Sequence, residues 1–146
     1  MRFIKRHIKL AVFLIAAAAL GAMYAYDAVR AGSYKVELAS PLPETVYADG
    51  ATPVDIAVRV TRRGRPQAGH YLFALPVDGG RFTAYRAETD ENGEAVFTYY
   101  PYRAMILLPA KTVEIRIIDE SNSVFFEVNA ELPVYIDLKE PGRGGG

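Results

Sequence analysis

The chain reads as an all-β sandwich of about seven or eight antiparallel strands, preceded by one N-terminal transmembrane helix. Three observations predict this. A single uncharged run stands at the N-terminus, apolar and polar residues alternate with period two through the rest, and no segment after Ala31 keeps a helical period. Alternation of period two marks half-buried strands, and strands divided by turns at roughly 8–12-residue spacing mark a sandwich or barrel.

The first element is the run of 17 uncharged residues from Leu10 to Tyr26. It follows the cations Arg2, Lys5, Arg6 and Lys9 and precedes every acidic residue. Roughly 17–25 apolar residues cross the ~30 Å hydrocarbon core as a helix. Cations before a first span hold that end in the cytoplasm, and tyrosines such as Tyr24 and Tyr26 suit the far interface. A cleaved signal peptide would need a shorter apolar stretch and a small-x-small site. The best such site here is Val29-Arg30-Ala31, so a retained anchor is favoured, and on either reading the rest is exported. Residues 1–9 then form a cytoplasmic basic flank, 10–26 the anchor, 27–33 a linker, 34–139 the sandwich and 140–146 a flexible Gly-rich tail.

Strand by strand, Tyr34, Val36 and Leu38 alternate with Lys35 and Glu37. Val54, Ile56, Val58 and Val60 give the cleanest alternation, against Asp55, Ala57, Arg59 and Thr61. Tyr71, Phe73 and Leu75 continue it, and Phe82 to Glu88 follow more loosely. Ala95, Phe97 and Tyr99 come next, then Val113, Ile115 and Ile117. Last is a long even-numbered series, Phe126, Val128, Ala130, Leu132, Val134, Ile136 and Leu138, with Pro133 inside it. Proline lacks a ladder donor, which places this strand at an edge or a bend. Between strands lie Arg63-Gly64-Arg65-Pro66, Asp78-Gly79-Gly80, Asp90-Glu91-Asn92-Gly93 and Glu120-Ser121-Asn122-Ser123, all with turn chemistry.

The order of certain motifs resembles bacterial immunoglobulin-like domains of the invasin/intimin type. These are Ala48-Asp49-Gly50, the strand from Val54 to Thr61, Gly64-Arg65-Pro66-Gln67-Ala68-Gly69, Gly79-Gly80, and Thr89-Asp90-Glu91-Asn92-Gly93-Glu94-Ala95-Val96-Phe97. The resemblance covers roughly residues 34–138. It implies an Ig-like sandwich serving as a spacer or adhesive module. Arg63 departs from the pattern, standing where the family usually has Asp or Asn, and Tyr99 to Pro109 is more aromatic and apolar than usual.

Composition excludes several functions. With no cysteine, there is neither a disulfide framework nor a thiolate metal site. Overall charge balances at 17 basic and 17 acidic residues, but without the four N-terminal cations 13 face 17. Such a domain does not suit nucleic acid, whose recognition needs a basic surface. His7 belongs to the basic flank, and His70 opens a strand with no recognisable partner in sequence, so no catalytic residue is expected. No cofactor is expected either. Asp90-Glu91-Asn92-Gly93-Glu94 offers too few oxygens for calcium, which takes about six to eight, and reads as a hairpin turn. Arg62, Arg63 and Arg65 read as a solvated hairpin tip, with anionic polymers or headgroups as the rival partner.

The segment from Tyr99 to Pro109 is the exported domain's most unusual stretch, for loops are normally polar. Two roles fit it, closing an open end of the core or forming a contact site, since Tyr, Met and Arg are enriched in interfaces. The candidate partner-binding residues are Tyr100, Tyr102, Arg103, Met105, Ile106 and Leu108. The expected partners are the lipid bilayer, through the helix, and an envelope protein. A polysaccharide is the alternative, read by a row of Tyr85, Tyr99 and Tyr102, and the chain could also be an accessory subunit of an envelope enzyme or transporter.

Overall fold

Chain order runs α1 (Arg2–Gly32), β1 (Tyr34–Leu38), β2 (Val46–Tyr47), β3 (Val54–Arg62), β4 (Arg65–Pro66), β5 (Tyr71–Pro76), β6 (Arg81–Phe82), β7 (Arg86–Glu88), β8 (Glu94–Tyr100), β9 (Thr112–Asp119) and β10 (Ala130–Lys139). The structure, a computed structural model, describes residues 2–142 and side chains from His7 onward. The expectations for Arg2, Lys5 and Arg6 as charges, and for residues 143–146 of the tail, lie outside the described residues.

Two sheets face each other. One has the order β1-β3-β8-β6 with β4 folded back on the end of β3, and the other has the order β2-β10-β9-β5-β7. All pairings are antiparallel except the short parallel one of β2 with β10. The protein is an Ig-like β-sandwich behind a long N-terminal helix. Inward positions follow the alternation: Ile56, Val58, Val60, Phe97 and Tyr99 from the first sheet meet Val113, Ile115, Ile117, Val134, Ile136 and Leu138 from the second. Each such side chain contributes about 1.5–3 kcal/mol by leaving water.

Four expectations change. Tyr71, Phe73 and Leu75 do not point inward; Leu72 and Ala74 are the buried members of β5. Register decides this, for Ala74 lies opposite Ile117 of the inward row, and the outward Phe73 is covered by the Arg86 guanidinium. Phe82 to Glu88 is not one strand. β6 joins β8 in one sheet and β7 joins β5 in the other, so the segment crosses the sandwich. The last strand begins at Ala130, and Phe126 and Val128, although in phase, belong to a loop. The segment 27–33, read as linker, is helical through Gly32. Pro133 sits opposite Arg116 on β10, where β2, which pairs only with 138–139, has not yet begun.

Register also orders the two ends of the sandwich. Tyr34 pairs with Arg62, and Ala130 with Asp119, at the end that α1 enters. Val54 pairs with Tyr99, and Thr112 with Asp137, at the opposite end. The segment between β8 and β9 therefore lies on the far side of the body from the helix.

Candidate functional site

β8 carries the backbone out of the core at Tyr99. Its ring is fully buried against Phe82, with centroids 5.2 Å apart, and its hydroxyl donates to the Gly79 carbonyl at 2.8 Å. Burial pushes the phenol up to about 12. Tyr99 is thus a core residue, which removes it from any exposed row of tyrosines. Tyr100 is half-buried under the Arg81 guanidinium, 4.1 Å above the ring centroid. Pro101 is buried, and Tyr102 packs on the core while donating its hydroxyl to the Pro109 carbonyl at 2.8 Å.

Beyond Tyr102 the chain is braced by the Ala48-Asp49-Gly50 turn. The backbones of Arg103 and Asp49 pair in an isolated antiparallel bridge, and the Ala104 N–H donates to the Ala48 carbonyl at 2.7 Å. Asp49 fixes that turn: one carboxylate oxygen accepts the N–H groups of Ala51 and Thr52, both at 2.8 Å, and the other accepts the Thr52 hydroxyl. These bonds, that of the Thr52 side chain foremost, hold the Asp49 carboxyl below its ordinary value. Arg103 itself is exposed.

Met105 and Leu108 close a tight hairpin through two reciprocal backbone bonds of 2.9 Å. Ile106 and Leu107 form its tip and are 99% and 96% exposed. Met105 is largely exposed, and Leu108 is nearer half covered. The returning arm is tied down by the Glu140 carboxylate, which accepts the Ala110 N–H at 3.0 Å, and by Lys111, 2.7 Å from Asp78. The segment has two parts of different burial. Tyr99, Pro101 and Tyr102 close the core, and Met105 to Leu108 project from it. Leu107 was absent from the residues singled out by sequence, although its place between Ile106 and Leu108 marked it equally.

Three other clusters bear on chemistry. At the helix end, the fully buried Asp27 accepts the backbone N–H groups of Val124 at 3.0 Å and of Phe125 and Phe126 at 2.7 Å. Burial alone would raise this carboxyl, but the three N–H donors and Arg30 outweigh it and hold it below its ordinary value. Beside it, and contrary to the sequence expectation, His70 has a partner. Its Nδ1 lies 2.8 Å from the buried Asp119, which also accepts from Asn122 at 2.6 Å and from the Ser121 N–H at 3.0 Å. The Ser121 hydroxyl in turn accepts the Tyr71 N–H at 2.7 Å, so this group ties the start of β5 to the 119–122 turn. Neither contact had a sequence signal, because the partners lie 97–99 and 49 residues apart. Finally, a shallow groove of about 680 Å³ crosses the outer face of β1, β3 and β8, lined by Lys35, Glu37, Arg59 and Glu94. Two ion pairs lie within it, Lys35 with Glu37 at 2.6 Å and Arg59 with Glu94, and Arg63 stands at its edge. At the Asp90 turn, the carboxylate is used on the Asn92 and Glu94 N–H groups, as a hairpin requires.

Among solved structures, the chain is similar to the D00-D0 domain of intimin, at 16% identity over 70% of this chain with a TM-score of 0.47. It is similar to a conjugative transposon lipoprotein from Bacteroides eggerthii, at 17% identity over 72% of this chain and 97% of that one, with a TM-score of 0.46. A lipoprotein from Bacteroides thetaiotaomicron matches at 14% identity over 74% of this chain and 82% of that one, with a TM-score of 0.40. The chain spans 44% and 45% of the length of two intimin structures that it matches. No family model and no curated protein matches the sequence. The sandwich assignment rests on the two sheets themselves.

Proposed function

We propose that this chain is a non-catalytic, single-span membrane protein, N-terminus inside, that presents its Ig-like sandwich outside the cytoplasm to dock an envelope protein. The docking surface is the Met105–Leu108 hairpin, with Tyr100, Tyr102 and Arg103 at its base. The observation that carries this reading is the tip: two large aliphatic side chains held fully in water by a closed, doubly bonded turn. Contiguous exposed apolar residues mark contact sites, and Met105, Ile106 and Leu107 stand exposed in succession. Its position opposite the helix points it away from the bilayer. A polysaccharide reading loses its row of aromatics with the burial of Tyr99.

Retention of the helix is supported by Asp27. Cleavage after Ala31 would remove the acceptor of three backbone donors, and orphaned donors are costly to a fold. The helix also has the means to span: it is long and apolar enough to cross a membrane, and residues 7–26 are exposed rather than covered by the body. The test is capture from membranes. Ile106→Asp with Leu107→Asp is expected to leave folding intact and abolish recovery of a co-purifying envelope protein. An unchanged set of co-purifying proteins would remove the hairpin as the contact.

A further inference from the structure

The loop between β9 and β10 holds three consecutive apolar residues, Val124, Phe125 and Phe126, and does not bury them. Val124 is 57% exposed and Phe125 51%. Their backbone donors are all turned onto Asp27, and the two phenylalanine rings lie against the helix. There Phe126 meets Tyr24 edge-on, with centroids 6.1 Å apart, and Phe125 meets Tyr26 at 6.0 Å. The loop thus reaches back along α1 from its exit at Gly32 to Tyr24, about 12 Å at the helical rise of 1.5 Å per residue. Tyr24 and Tyr26 end the uncharged run that starts at Leu10, and the helix surface before them is exposed and apolar.

We propose that Val124, Phe125 and Phe126 are a second membrane contact, seated in the interfacial layer of the leaflet from which α1 emerges. This rests on the membrane-anchored reading above. If Tyr24 and Tyr26 lie at headgroup level, side chains packed edge-on against them lie there too, for the loop is fixed to the helix at Asp27. Aromatic rings are favoured at that depth. Cations stand at the same end: Arg30 lies over the Tyr26 ring and Arg62 over the Tyr34 ring, where they face the phosphates of such a surface. The apolar loop is continuous with the apolar span, so one bilayer covers both, and no second protein is needed to cover it.

The sequence has no tryptophan, so a single introduced one reports its own surroundings. The full-length protein carrying Phe125→Trp, and separately Leu107→Trp, is reconstituted into phosphatidylethanolamine–phosphatidylglycerol vesicles with and without acyl-brominated lipid. The Phe125→Trp emission is expected to be blue-shifted and to fall about twofold with bromination, as for a ring at headgroup level, while that of Leu107→Trp is unaffected. Water-like, unquenched emission from Phe125→Trp in protein that floats with the vesicles overturns the contact and leaves the anchor standing. Blue-shifted but unquenched emission means that protein covers the loop, and also overturns it. Equal quenching of both variants means that the body lies flat on the bilayer, which refutes the end-on seat. Protein that fails to float refutes the anchor, and this contact with it.

Discussion

Gly64 and Gly93 hold nearly the same backbone angle, with φ of 76° and 72°, and differ in what surrounds them. A Cβ at Gly64 would meet nothing within 4 Å, since that residue is at the tip of the β3–β4 hairpin. A Cβ at Gly93 would lie 2.7 Å from the Val60 carbonyl oxygen and 2.8 Å from the Gln67 nitrogen, both backbone atoms that cannot swing aside. Gly93 must approach so closely because its own carbonyl accepts the Val60 N–H at 2.8 Å, joining the β7–β8 turn to β3. Alanine at either position carries the left-handed penalty of about 1–2 kcal/mol. At Gly93 the overpacking adds about 1–3 kcal/mol more. With about 4 °C of melting temperature per kcal/mol in a domain of this size, Gly64→Ala is expected to melt about 4–8 °C below the parent. Gly93→Ala should then melt lower by a further 4–12 °C or so. Thermal melts of the detergent-solubilised full chain, followed by far-ultraviolet circular dichroism, measure both. Coincident melts for the two variants would refute the close approach at Gly93.

Arg63 holds φ of 51°, a conformation that Asn and Asp tolerate far better, so Arg63→Asn is expected to raise the melting temperature by about 2–4 °C. Asp27→Ala is expected to abolish hydrogen-exchange protection of the Val124, Phe125 and Phe126 amides while leaving that of β3 and β9 unchanged. Asp27, Asp49 and Asp78 are all held below the ordinary carboxylate range in the folded protein by the hydrogen bonds they accept. Their contribution is therefore complete above that range and lost as acid takes the folded carboxylates through their lowered values. Stability measured by denaturant titration should fall below about pH 4, and the fall should be shallower in the Asp27→Ala variant. Ile106→Asp with Leu107→Asp should leave the melting temperature within about 2 °C of the parent, because exposed positions change stability little.

Much of the sandwich was legible because β3, β8, β9 and the later part of β10 write their inward faces in strict alternation. Where side-chain size and phase disagree with register, the sequence misleads. β5 puts its larger residues outside because its register against β9 sets Leu72 and Ala74 against the core. Phe126 and Val128 keep the phase of β10 but not its ladder: the Phe126 N–H goes to a carboxylate 99 residues away and the Val128 N–H turns back to the Phe126 carbonyl. The same distance hid Asp27, which looked like the start of a linker. The unusual apolarity of residues 99–109 was visible at once. Its division into a plug and a projecting hairpin was not, since it depends on backbone bonds from Ala48 and between Met105 and Leu108.

Only Ser33 separates the last turn of α1 from β1, and its amide and hydroxyl both bind the Arg30 carbonyl, at 3.0 and 2.7 Å. With Asp27 bonded to the β9–β10 loop on the other side, this joint is braced twice. The body is mounted like a key on its shaft: turning the helix would carry the Ile106–Leu107 point around with it, and a sideways load on that point would return to the helix as torque.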